Sequence, residues 1–294
     1  MPASAAWTGA LHARRPATEA LNASVRVMMN RRITWAFFIL LLVRYGLQWT
    51  RMATDWPLPS FGDIGFTLVF AGFSLAHAID LLGWRRAVTF FGLSAFISWC
   101  FEQVGVATGL VYGAYHYSDK LGPKLGAVPA IIPLAWFMMI YCAWIVAHVL
   151  LDGTGSARAW RGMATRALVA AMAITAWDVV MDPGKARAGT WTWEQGGSYF
   201  GVPAQNYIGW VLTTLAVYLC SGVAFRFMAG RPETQRPRLY TALPALAYSL
   251  VALDHLFSNA VPELRIVDAF GISLIALIAL LRLASMPQPA PDLP

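Results

Sequence analysis

The sequence predicts an all-α, polytopic membrane bundle of about eight transmembrane helices, with two aromatic- and glycine-rich loops on its outer side. Three observations predict it. Of the 294 residues, 58% are hydrophobic and only 13% charged, and the mean hydropathy is +0.54, far too apolar for a soluble domain of this size. Eight apolar stretches approach or exceed the roughly 20 residues that a helix needs to cross a bilayer. Segments 114–136 and 190–210 are much richer in Trp, Tyr and Gly than ordinary connecting loops, which implies that both fold over something.

The apolar stretches run over about 34–50, 63–82, 87–104, 126–151, 164–181, 206–228, 240–259 and 265–284. The first is short and interrupted by Arg44, so the count falls to seven if it does not cross. With eight spans, fifteen Lys and Arg residues fall on the side of the two termini and six on the other, Arg44 itself lying within a span. The positive-inside rule then places both termini in the cytoplasm and the chain in the cell's inner membrane. The net charge of +7 is this topology signal and calls for no nucleic-acid partner. Residues 1–32, rich in Ala and Arg without a continuous apolar core, read as a disordered cytoplasmic tail rather than a signal peptide. Residues 33–285 read as a single transmembrane catalytic domain, and the end from 286 to 294 as a Pro-rich tail. Cys100, Cys142 and Cys220 lie in apolar spans without metal-ligand spacing and read as buried small hydrophobes.

Ionisable residues in a span cost about 2.5–3.5 kcal/mol each on insertion scales and so mark candidate sites. Here they gather on the outer side. Glu102 closes the third span, Asp178 and Asp182 close the fifth, Asp254 and His255 lie in the outer third of the seventh, and Asp268 opens the eighth. Asp178 and Asp182, four apart in WDVVMDP, share one helical face just before Pro183, which is expected to end the helix. Two such carboxyls can share a proton and leave one protonated near neutrality, as a general acid requires. The alternative is that Asp182 caps the helix while Asp178 pairs with Arg44. Glu102 either faces the same cavity or sits in water at the interface. Asp254 and His255 read as a polar pair between helices.

Tyr112, Tyr115, Tyr117, Trp191, Trp193 and Tyr199 stand among glycines, which suits backbone packed closely around a ligand, although interfacial belts also collect Trp and Tyr. Aromatic walls beside carboxylic acids fit chemistry that passes through a carbocation. Lysine occurs only at Lys120, Lys124 and Lys185, read as outer-loop positions, so no span can form a retinal Schiff base. Five scattered histidines cannot build a histidine-rich di-iron site. His77 and His148 form at most a remote haem pair. No nucleotide-binding glycine motif is present. The expected reaction needs no cofactor.

The run GLVYGAYHYSDKLGPKLGAVPAIIPLAWFMM (109–139), with WDVVMDP (177–183) and WTWEQGGSYFGVPAQNYIGW (191–210), resembles the membrane-bound carotenoid 1,2-hydratases. The resemblance covers roughly residues 95–215; the flanking spans match in hydropathy. It implies a hydro-lyase of carotenoid biosynthesis that adds water across the terminal double bond of an acyclic end group, such as that of lycopene, gamma-carotene or bisanhydrobacterioruberin, to give a tertiary alcohol. The carotenoid would come from the lipid phase, with membrane lipid and other enzymes of the pathway as neighbours. On this reading the acid is the Asp178/Asp182 pair, and Glu102 is an alternative acid or the water-activating base. Tyr115, Tyr117, Trp191 and Trp193 wall the cation, and Asn206 positions water. Two other readings stay open: a membrane prenyltransferase, from the single DVVMD segment, and a non-enzymatic carotenoid or lipid binder, from the repeated aromatic-Gly-Val-Pro pattern.

Overall fold

The structure, a computed structural model, describes residues 5–54, 56–151, 160–229, 236–259 and 261–286, without the side chains of 5–24, 26, 160 and 161. The described helices are α1 (Ala5–Ala53), α2 (Gly62–Leu82), α3 (Trp84–Thr108), α4 (Ile132–Leu151), α5 (Trp160–Arg187), α6 (Ala204–Arg226), α7 (Arg238–Ser258), α8 (Pro262–Phe270) and α9 (Ile272–Ser285). Eight spans among them are long and apolar enough to cross a membrane, the last being α8 and α9 taken together across a break at Gly271. The spans alternate in direction. Connections 109–131 and 188–203 therefore share one end of the bundle, called the site end below. The Pro-rich tail of the sequence reading lies, but for Met286, outside the described residues.

Helix α4 has no Asp, Glu, Lys or Arg, and a helix that is apolar all round belongs in the interior. It packs against α2, α3, α5, α7 and α9, and the other spans surround it. Helix α1 begins at Ala5, upstream of its membrane-spanning part Val27–Ala53, where the composition predicts a loose tail. The Ala, Leu, Arg and Glu residues of that stretch are strong helix formers, which favours continuing the helix.

Pro183 does not end α5, contrary to expectation; the helix runs on to Arg187, and Lys185 belongs to its last turn rather than to a loop. Proline removes one N–H and frees a carbonyl in the turn before it. The freed carbonyl is that of Val179; beside it, the Asn259 side-chain amide donates to the Val180 carbonyl at 3.0 Å and ties this turn to the α7–α8 connection. The helix stops instead at Gly189, whose φ of 65° suits the left-handed residue that terminates helices.

The two loops pair with each other. Strand β1 (Tyr115–Tyr117) runs antiparallel to β4 (Trp191–Trp193), with Tyr115 opposite Trp193 and Tyr117 opposite Trp191. Strands β2 (Lys124–Leu125) and β3 (Val128–Pro129) form a tight hairpin, and Tyr199 and Val202 make a matching bridge in the second loop. Trp136 and Trp210, which close the two segments, stack with ring centroids 3.8 Å apart. The repeat visible in the sequence is thus a paired structure covering one site.

Tyr112 sits between glycines of two helices. A Cβ added at Gly105 of α3 would lie 2.7 Å from its ring, and one added at Gly209 of α6 would lie 2.6 Å from the ring and 2.5 Å from the Val111 carbonyl. Gly209→Ala is expected to lower stability by about 1–3 kcal/mol through overpacking and to displace Tyr112; thermal unfolding in detergent measures this.

At the opposite end, buried Asp80 accepts from Arg236 at 2.9 Å and Arg31 at 3.4 Å, joining α1 and α2 to the start of α7. His77 uses both ring nitrogens, on the Tyr141 hydroxyl at 2.6 Å and the Tyr240 carbonyl at 3.0 Å, which leaves neither for haem iron. Of the cysteines only Cys142 is buried. Cys100 is partly buried and Cys220 is exposed on α6, because these helices turn a face outward toward lipid.

Candidate active site

A cavity of about 270 Å³ lies at the site end, beneath the paired loops. Two carboxyl centres sit in its inner part. Glu102, buried near the end of α3, accepts hydrogen bonds from the Tyr115 hydroxyl, from the Tyr117 hydroxyl at 2.8 Å and from the Trp136 indole N–H at 2.9 Å. The first two donors belong to β1 and the third to α4, so this carboxylate anchors loop to bundle. The strand alternation that buries Tyr115 and Tyr117 and exposes His116 brings both phenols to one oxygen.

Across the cavity, Asp182 and Asp178 lie one turn apart on α5. The Asn206 amide, from the first turn of α6, bridges them by donating to Asp182 at 2.6 Å and to Asp178 at 2.9 Å. One amide thus holds both carboxyls side by side, and Trp191 lines the cavity beside Asp182. One oxygen of Asp178 meets no N–H or O–H donor among the described residues. Two carboxyls one turn apart and bridged by one amide are close enough to favour sharing a proton. Asp182 lines the cavity, whereas Asp178 is fully buried behind it.

The walls are aromatic. Tyr112, Tyr115, Tyr117, Trp136, Trp177, Trp191, Trp193 and Trp210 all line the cavity. Trp177 meets Trp210 edge to face at 5.8 Å, and Trp210 stacks on Trp136. The Tyr112 hydroxyl bonds Thr213 at 2.7 Å, and Trp193 donates to the Tyr112 carbonyl at 2.9 Å. Burial, together with the nearby Glu102, pushes the phenols of Tyr112, Tyr115 and Tyr117 well above the ordinary tyrosine range. They therefore remain neutral hydroxyls at physiological pH. Among the described residues no three His, Cys, Asp or Glu side chains group as a metal site.

Toward the outer rim, Asp254 of α7 accepts from Trp49 at 3.0 Å, from Gln48 at 3.0 and 3.1 Å and from Arg44 at 3.3 Å. His255 accepts from the Trp177 indole at 3.2 Å. At the mouth, Lys185 and Asp63 form a partly exposed ion pair at 2.5 Å.

The family described as carotenoid biosynthesis protein matches residues 62–280, three-quarters of the chain and all of the cavity except the α1 residues. The chain belongs to this family. A curated relative, bisanhydrobacterioruberin hydratase of Haloarcula japonica, is 34% identical over 147 residues, which are 49% of this chain and 48% of the relative. The chain thus spans about half the length of the curated relative it matches. No solved structure matches.

In this family member, nine of the ten residues singled out from sequence stand at one place: Glu102, Asp178, Asp182, Tyr112, Tyr115, Tyr117, Trp191, Trp193 and Asn206 line the cavity or bond a residue that does. Tyr199 does not; it packs against Phe200 and Tyr207 in the second loop. Asn206 uses its NH₂ group to clamp the two aspartates. Arg44 pairs with Asp254, not with Asp178. Asp254 and His255 are bonded to separate partners rather than to each other. Sequence reasoning missed Trp136, Trp177 and Trp210 as walls. A signal existed: Glu102 precedes Tyr115 by thirteen residues, as Asp178 precedes Trp191, so the repeat includes the carboxyls and ends at Trp136 and Trp210.

Proposed function

We propose that the protein hydrates the terminal isoprenoid double bond of an acyclic carotenoid, in the manner of a hydro-lyase. The observation that carries this reading is an aspartate pair bridged by one amide and a multiply hydrogen-bonded carboxylate facing one aromatic-walled cavity. Asp182 transfers the shared proton to the less substituted alkene carbon, and a tertiary cation forms at its neighbour. Indole faces and the negative Glu102 stabilise that cation. Water adds to it, and the proton it loses passes to Glu102 and returns through solvent to the aspartates, leaving a tertiary alcohol. Asp178 and Asn206 act as positioning residues for Asp182. The three donors on Glu102 suit a base that stays anionic while the cation exists.

A cavity of about 270 Å³ is at the small end of ligand sites, which run from about 300 to 1,000 Å³, and so suits one end of a long polyene whose remainder stays in lipid. Supporting the class are the family membership and the name of the half-length relative. The prenyltransferase reading loses ground because Asp178 lies behind Asp182, so the pair does not offer two carboxylates to a magnesium diphosphate. By charge balance the termini and the far end of the bundle are cytoplasmic and the cavity opens to the outer face of the cell's inner membrane.

Production of the protein in a lycopene-making host without hydratases tests the reading. The expected pigment is heavier than lycopene by one water per reacting end. Unchanged lycopene, with the protein in the membrane, would refute lycopene as substrate; unchanged pigments from gamma-carotene and bisanhydrobacterioruberin hosts as well would refute the hydratase reading.

A further inference from the structure

The proton-transfer steps leave the polar centre at the outer rim of the cavity unused. Arg44 and Gln48 come from α1, Asp254 and His255 from α7, and all four line the cavity. An ion pair inside a membrane bundle is costly to retain, and an isoprenoid tail has no group to bond it. The cluster is itself densely bonded. Asp254 takes its donors from Arg44, Gln48 and Trp49, and the Arg44 guanidinium lies 4.6 and 4.5 Å from the ring centroids of Tyr45 and Phe66. Beyond these bonds, the chemistry of the side chains leaves further Arg44 N–H donors, the Gln48 carbonyl oxygen and the second ring nitrogen of His255. These are donors and acceptors placed together, as a small hydroxylic ligand needs.

Two further features give this centre a direction. The Asp63–Lys185 pair lines the same cavity where it reaches the surface and marks an aqueous mouth. Inward, Trp177 donates to His255 and touches Trp210, which stacks on the Trp136 whose N–H holds Glu102. One indole wall thus runs from the rim to the proposed base.

We infer that the Arg44–Gln48–Asp254–His255 cluster is the water subsite of the enzyme, admitting the nucleophile past Asp63 and Lys185 and delivering it along the indole wall to the cation. The inference rests on the hydration reading. Water and polyene have opposite solubilities, and a cavity dry enough to form a cation needs a separate polar store for the one water that must capture it. Gln48 and His255 are positioning residues; neither transfers the proton to carbon.

The test follows the fate of the cation. In D₂O, Asp182 delivers a deuteron to the alkene carbon. The cation is either captured by water, giving deuterated alcohol, or loses a proton from a neighbouring carbon, giving deuterated alkene. Lycopene is supplied to the full-length protein in vesicles, and the ratio of deuterated alkene to alcohol is read by mass spectrometry. Gln48→Leu and Lys185→Leu are each expected to raise the ratio about tenfold, as suits loss of one hydrogen bond that positions a nucleophile, and Gln48→Asn to restore most of it. The ratio is read only from molecules that still protonate substrate, so partial misfolding does not mimic the effect. A ratio unchanged in both leucine variants, or loss of deuterated alkene together with alcohol, overturns the inference. Absence of both products from the unaltered protein would instead count against the hydration reading.

Discussion

Asp182→Asn is expected to reduce carotenoid hydration by at least about 10²-fold and up to about 10⁴-fold, the range spanned by general-acid catalysis, while the protein still inserts and folds. The asparagine is nearly isosteric and can still accept from the Asn206 amide, but it carries no transferable proton. Asp178→Asn is expected to lose less, because Asp178 touches the reaction only through Asp182 and its amide would still bond that carboxyl. Hydrated pigment per unit of membrane-inserted protein measures both. Near-normal product from Asp182→Asn would remove Asp182 from the role of acid, and a larger loss from Asp178→Asn would reverse the order of the pair.

Glu102→Gln is expected to cost about 10²-fold in hydration, the order seen when one preorganised electrostatic group or base is removed. The amide fits the same space. Its oxygen can take the Trp136 N–H, and its NH₂ can face Tyr115 and Tyr117, whose hydroxyls turn to accept. What disappears is the negative charge facing the cation and the acceptor for the water proton. Because the dyad is intact, this variant should still incorporate deuterium from D₂O into recovered alkene. Asp182→Asn should not. That contrast assigns acid and base separately; deuterium incorporation lost in Glu102→Gln but kept in Asp182→Asn would exchange the two roles.

Much of the site was legible because its residues are anomalies against a membrane background. Carboxyls within spans stand out by their cost, and the two aromatic-glycine loops stand out by composition. Both signals are local, and they located Glu102, Asp178, Asp182 and most of the aromatic wall. What was missed has a different cause. The partners of Asn206 on α5 cannot be known from α6 alone. Tyr199 sat in the right loop on the wrong side of it, and Pro183 looked like a helix end because the packing that holds its turn, including the Asn259 bond to the Val180 carbonyl, comes from 79 residues away.

Taken alone, the sequence determined the class of the molecule, the approximate places of its spans, the end at which its polar groups gather and the existence of a repeated loop. These follow from hydropathy, charge and spacing along the chain, since the bilayer acts on each segment separately. Only the tertiary structure decided which carboxyl faces the cavity, that the repeats pair with each other and that Arg44 meets Asp254 across 210 residues of chain. Such partners depend on how each helix is rotated against its neighbours. That rotation is set by packing around α4 and by close approaches such as Tyr112 between Gly105 and Gly209, a sum over the whole bundle that no local stretch of sequence contains.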